Sequence, residues 1–153
     1  MILTTHILSG AALGTSIQNP VAVAGLSVIL HFLLDALPHG DYLNKKSSLW
    51  SFWKVAIDLM VGFSIAIAIL FCRGLTSTDP KLMNIGIGIF FSLLPDGLTF
   101  LCLWMGMKFL RPIYAFHNKL HRAPDFSPER EFRFKNNLFD ILISLTLTLF
   151  LLK

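Results

Sequence analysis

The stretch WKVAIDLMVGFSIAIAILFC, Trp53 to Cys72, decides the fold. Twenty helical residues rise roughly 30 Å, the thickness of a bilayer's hydrocarbon core. Positions 55–72 carry a single charge, Asp58. The pattern recurs outward from there. Positions 1–34 hold no Asp, Glu, Lys or Arg, 82–107 hold only Asp96, and 136–152 hold only Asp140. The chain of 153 residues is 54% hydrophobic and 14% charged, against about 45–50% and 25% for soluble domains. This excludes a disordered tail, a disulfide scaffold and a nucleic-acid module. Cys72 and Cys102 share no CxxC or Cys/His spacing and read as membrane-packed thiols.

Turn residues divide the chain into five apolar spans: 1–17, 20–37, 53–72, 81–110 and 137–152. Asn19-Pro20 opens the second, Pro38 and Gly40 stop it, and Asp79-Pro80 opens the fourth. Pro95 and Gly97 are expected to break the fourth midway. Residues 113–122 form a shorter amphipathic stretch. The first span lacks a basic leader and carries His6 early, so it is read as uncleaved. The expected fold is therefore all-α, a single integral-membrane domain over 1–153 with about five apolar helices and one interfacial helix.

The bases orient it. With the first span running from face A to face B, face A receives Lys45, Lys46, Lys54, Lys108, Arg111, Lys119, Arg122, Arg130, Arg133 and Lys135. Face B receives Arg73, Lys81 and Lys153. Ten against three makes face A cytoplasmic by the positive-inside rule. Tyr42, Trp50, Trp53, Trp104 and Tyr114 fall near the same face, where an aromatic belt belongs.

Ionisable groups inside such helices are costly, so each needs a reason. His31 and Asp35 stand four apart on one helical stripe, His39 falls on it a turn later, and Asp41 can fold back. Imidazole and carboxylate at this spacing make half a site for a divalent metal such as zinc. The plain alternative is a His–Asp pair satisfying itself in a bundle. His117 and His121 repeat the spacing without the glutamate of a zinc peptidase. Their alternative is an exposed interfacial helix. Leu94-Pro95-Asp96-Gly97 echoes Leu37-Pro38-His39-Gly40, a faint repeat that makes Asp96 a candidate ligand or a helix cap. His6, one to two turns into the first span, approaches the same face. The expected metal ligands are His6, His31, Asp35, His39, Asp96, His117 and His121, holding one or two zinc-like ions. Asp41 or Asp58 is expected to act as general base, with Asp58 alternatively orienting a histidine. Asp140 is expected to cap the last helix or pair with Arg133 or Lys135.

Thr5-His6 with Gly10 four residues on, the run Leu34-Asp35-Ala36-Leu37-Pro38-His39-Gly40-Asp41, and Leu93-Leu94-Pro95-Asp96 together resemble the YdjM-like group of small bacterial inner-membrane proteins, classed as metal-dependent hydrolases. The resemblance extends over most of the chain. It implies roles for His6, Asp96 and the pair His117 and His121. It departs from the group's pattern at Phe116-His117-Asn118-Lys119-Leu120-His121, where the group reads closer to His-Arg-Gly followed by His-Ser. The spacing of His31/Asp35 and His117/His121 also resembles the zinc sites of α-helical phospholipases C. Gly-x-Ser-x-Gly, the CDP-alcohol phosphotransferase series and the Pro-Ser-Gly-His element of lipid phosphatases are absent.

The expected function is a metal-dependent hydrolase of the bacterial inner membrane, its site facing the cytoplasm. Lys45, Lys46, Lys119 and Arg122 around the mouth favour a phospholipid or other amphiphilic phosphoester, or else anchor the protein to anionic headgroups. The alternative is a metal- or proton-handling transporter, or a scaffold whose histidines are structural. No nucleic-acid partner is expected.

Overall fold

The structure is a computed structural model, and it describes residues 1–44, 46–76, 78–121, 123 and 126–153. Six helices are present among them and no strand: α1 (Leu3–Ser16), α2 (Pro20–Asp35), α3 (Trp53–Cys72), α4 (Lys81–Leu103), α5 (Arg111–Leu120) and α6 (Leu138–Leu151). The Asn19 side chain accepts from the Val21 and Ala22 amides and Pro20 takes the first turn, so the start of α2 falls where the sequence puts it.

α1 is the central element. It packs against α2, α3, α4 and α6, and Thr4 to Ala12 are buried without interruption. Its closest neighbour is α4, because Gly10 and Gly88 face one another. A Cβ on Gly10 would lie 2.3 Å from the Gly88 carbonyl oxygen, and one on Gly88 would lie 2.1 Å from that of Gly10. Gly14 meets the α4 backbone at Ile85 in the same way, a small-xxx-small contact on α1.

Polarity runs inside out. Thr5, His6, Ser9, Ser27, His31, Asp35, Ser92 and Asp140 are buried. Val21, Leu33, Met60, Ile67, Phe71, Phe90 and Leu149 are exposed on the outer faces. Such an apolar exterior needs a covering.

Two expectations are corrected. Among the described residues only two helices are long and apolar enough to cross a membrane, Leu49–Cys72 and Lys81–Leu103, against the five expected. α1, α2 and α6 have 14 to 16 residues, about 21–24 Å of rise. Pro95 does not break α4, which runs through it to Leu103. The disturbed turn is supported from outside: the Ser92 carbonyl, three residues before the proline, accepts from His31 Nδ1 at 2.8 Å. The echo between 37–40 and 94–97 is therefore one of letters, since the first copy lies beyond the end of α2 and the second inside a helix.

Asp58 lies on the first turns of α3 and anchors the start of α1. Its carboxylate accepts from the Leu3 amide (2.5 Å), the Thr4 amide (3.1 Å) and hydroxyl (2.6 Å), and the Tyr42 hydroxyl (2.8 Å). These bonds satisfy amides that a helix leaves open at its N-terminus. Asp58→Ala is expected to lower stability by about 1–2 kcal/mol, the range for losing a cap. Denaturant melts of the variant check this.

Candidate metal centre

The end of α2, the last turns of α4, and α5 bring four side chains to one point. His31 and Asp35 come from α2, Asp96 from α4 and His117 from α5, with one ligand-capable atom of each within 4.8 Å of the others. Asp35 Oδ2 is the hub. It lies 2.7 Å from His117 Nε2, 3.1 Å from His31 Nε2 and 3.8 Å from His121 Nε2. Asp96 Oδ1 stands 3.7 Å from His117 Nε2. Asp35, His39 and His121 form a second such group, so one carboxylate belongs to both.

The outer nitrogens fix which atoms face inward. His31 Nδ1 meets the Ser92 carbonyl at 2.8 Å and His39 Nδ1 meets the Leu37 carbonyl at 2.8 Å. A carbonyl only accepts, so both Nδ1 atoms carry the proton. In the neutral ring Nε2 is then a lone pair aimed at the cluster. His117 Nδ1 is held by the Thr99 hydroxyl at 2.9 Å. His31 Nε2 and His117 Nε2 face each other at 3.2 Å. A lone pair 3.1 Å from a carboxylate oxygen repels it, and a cation between them removes the repulsion. The donor set of imidazole nitrogens and carboxylate oxygens suits zinc and other first-row divalent ions.

His6 completes the wall. Fully buried, its ring stacks on His31 at 4.2 Å between centroids, and its Nε2 lies 3.2 Å from Asp35 Oδ1. That approach lacks hydrogen-bond geometry, and His6 Nδ1 and Nε2 have no hydrogen-bond partner, while Asp35 Oδ1 faces the buried Met1 ammonium at 3.4 Å. Buried polar atoms left in this way are expensive, and a cation at the cluster would engage them.

Neither carboxylate expected to act as base is placed for it. Asp58 holds α1, as described. Asp41 accepts from Arg130 Nε at 2.6 Å and from the Met1 amino group at 3.0 Å, with His39 Nε2 at 3.4 Å. Burial pushes the Asp41 carboxyl up, but the Met1 ammonium, His39 and Arg130 outweigh it and hold the group well below the usual carboxylate range. Such a carboxylate is a poor proton acceptor. His121 follows α5 and stacks on His117. Burial lowers it to about 3, against the pull of Asp35 and with the Met1 ammonium and Arg130 adding to the fall, so its ring is neutral. Asp140 turns inward from the first turn of α6, 3.4 Å from the Thr5 hydroxyl, which also lies 2.9 Å from Ser144 Oγ.

Of the seven expected ligands, the structure gathers all around Asp35, six in the two groups and His6 behind. Sequence reasoning missed Thr99, Ser92 and Arg130. Thr99 stands three residues after Asp96, on the same helical face, and that spacing could have found it. Nothing local marks Arg130. Among the bases expected at the mouth, Lys45 and Arg122 lie outside the described residues. Lys46 sits over the Phe126 ring at 5.2 Å and Lys119 is exposed. The base lining the adjoining cavity is Arg130. Comparison of the chain with protein-family models, curated proteins and solved structures finds no match.

Proposed function

We propose that this protein is a membrane-embedded, metal-dependent hydrolase. One divalent ion, zinc by donor chemistry, sits at His31, Asp35, Asp96 and His117, and a second at Asp35, His39 and His121. The observation that carries this reading is the convergence of histidine Nε2 atoms on Asp35 Oδ2, with His31 and His39 pinned through Nδ1 by carbonyls. Rings so held present a fixed tautomer, the support that metal-binding histidines need. A divalent ion there supplies Lewis acidity and lowers the pKa of a bound water to about 7.

The chain's own residues supply the rest. Thr99 fixes the His117 ring. Asp96, with a third of its side chain exposed, opens onto the cavity from its place at the ion. Arg130, its Nε donating to Asp41 at 2.6 Å, lines the same cavity and puts a guanidinium near a bound anionic ester. In hydrolysis of a phosphoester the water oxygen bonds to phosphorus, the ester oxygen leaves with its electron pair, and the proton passes to the leaving group. The motif resemblance to the YdjM-like group points the same way.

The membrane setting rests on the apolar exterior and on α3 and α4, which cross, with the shorter α1, α2 and α6 packed beside them. The excess of bases at the end of the bundle that carries the cluster supports the reading that the site faces the cytoplasmic side of a bacterial inner membrane. A transport pathway would need ionisable groups through the full depth. Among the described buried residues, the half of the bundle away from the cluster contributes only neutral polar groups such as Asn84.

Elemental analysis of protein purified in detergent without chelator tests the reading. About one or two ions per chain are expected in the wild type, with loss in both His31→Ala and His117→Ala. A metal-free wild type would overturn it. Thr99→Val, which removes only the partner of His117 Nδ1, should weaken metal affinity by about 10–100-fold; competition with a chromogenic chelator reads this.

A further inference from the structure

A cavity of about 430 Å³ opens directly onto the cluster. Asp96, His117, His121 and Arg130 lie on its lining, with Asp96 between Leu93 and Phe100 on the α4 wall, and Leu59 of α3 with Leu93, Phe100 and Leu103 of α4 make its apolar part. Along α4 the wall from Leu93 to Leu103 covers ten residues, about 15 Å. The cavity exists because α3 and α4 both lean on α1 and do not pack on one another. Their outward faces carry exposed Met60, Ile67 and Phe90, so the gap between them lies beside apolar surface.

Gly97 lies on the cavity's lining and is exposed. It sits inside α4, where glycine costs roughly 0.5–1 kcal/mol relative to alanine. A Cβ there would meet nothing within 4 Å, and φ is not of the kind that demands glycine. No close approach accounts for it, unlike Gly10 and Gly88. What a larger residue would do is fill the cavity, whose lining includes Gly97.

From the geometry we infer that this cavity holds the acyl chain of a single amphiphile, with its anionic head at the cluster. The inference rests on the hydrolase reading and names its substrate class: a lipid phosphoester recognised by chain as well as head. A largely apolar cavity with a few polar groups in its lining is the usual form of a small-molecule site, and it selects molecules that carry both kinds of surface. A water-soluble phosphoester would leave the apolar walls uncovered and gain nothing from them.

The test is chain-dependent binding in protein reconstituted into nanodiscs and treated with chelator, so that the outcome does not depend on metal. Native mass spectrometry follows retention of palmitoyl-lysophosphatidate and of its butyryl counterpart. The wild type is expected to retain one palmitoyl molecule saturably and to release the butyryl one. Gly97→Phe should weaken palmitoyl retention on the order of a hundredfold, as expected for displacing a few buried methylenes. Leu59→Trp, which fills the cavity from the α3 wall, should do the same, and Gly97→Ala should not. Equal retention of the two probes, or retention unchanged in both bulky variants, overturns the inference even if metal is present. Chain-selective retention by a protein that binds no metal keeps the cavity and defeats only the hydrolase reading.

Discussion

Asp35→Asn protein is expected to bind a divalent ion at least about 100-fold more weakly than the wild type, the upper end of what even an outer partner contributes. Asp35 is nearly inaccessible, and no other carboxylate oxygen in the cluster lies within 3.1 Å of two imidazole nitrogens. Asparagine keeps the shape, removes the charge, and places an amide donor or a weaker acceptor among the rings. Thermal melts separate a metal ligand from a purely structural carboxylate. A bound ion present at about a thousand times its Kd stabilises the folded state by about 4 kcal/mol. Chelator should therefore lower the melting temperature of the wild type and leave that of Asp35→Asn where it was. If chelator shifts both equally, or neither, Asp35 is not holding an ion.

The second large effect is expected far from the cluster. Gly88→Ala sets a methyl group 2.1 Å from the Gly10 carbonyl oxygen, and Gly10→Ala sets one 2.3 Å from that of Gly88. Both obstacles are backbone, so no rotamer relieves them and α1 must part from α4. Overpacking of this kind costs about 1–3 kcal/mol, occasionally more. α1 carries His6, while α4 carries Asp96 and the carbonyl that holds His31, so metal affinity should drop as well. Gly86→Ala is the internal control. A Cβ at Gly86 meets nothing within 4 Å, and the substitution should be neutral or stabilising by up to about 1 kcal/mol. Denaturant unfolding of the three variants decides it: Gly88→Ala as stable as Gly86→Ala would mean that the helix contact is looser than the geometry says.

What the sequence made legible was periodic or punctuated. The all-helical class followed from long apolar runs, and the start of α2 from Asn19-Pro20. The pairing of His31 with Asp35 followed from a four-residue step that any helix stacks. What stayed hidden depended on distant partners. Pro95 looked like a break because the ring of His31, 61 residues before Ser92, cannot be seen supporting the turn ahead of the proline. Asp58 looked like a base because its partners, Leu3 and Thr4, are 55 and 54 residues away. Asp41 looked like a base because Arg130, its nearest partner, lies 89 residues on. The overcount of spans has a different cause. Apolar content marks a buried core helix as readily as one facing lipid. α1 is the former, its length set by what surrounds it.

The central position of α1 also sets an order of events. Its Thr5 hydroxyl meets Ser144 across 139 residues of chain, and its Ser9 meets Ser92 across 83. Contacts this remote close late, because the loop between them must be made and then restrained. The helix synthesised before all the others therefore waits longest for its neighbours, with two hydroxyls and an imidazole lacking their final company. Until α6 arrives, the hydroxyl of Thr5 must find other partners, which leaves the half-made chain more open to misassembly than the finished bundle.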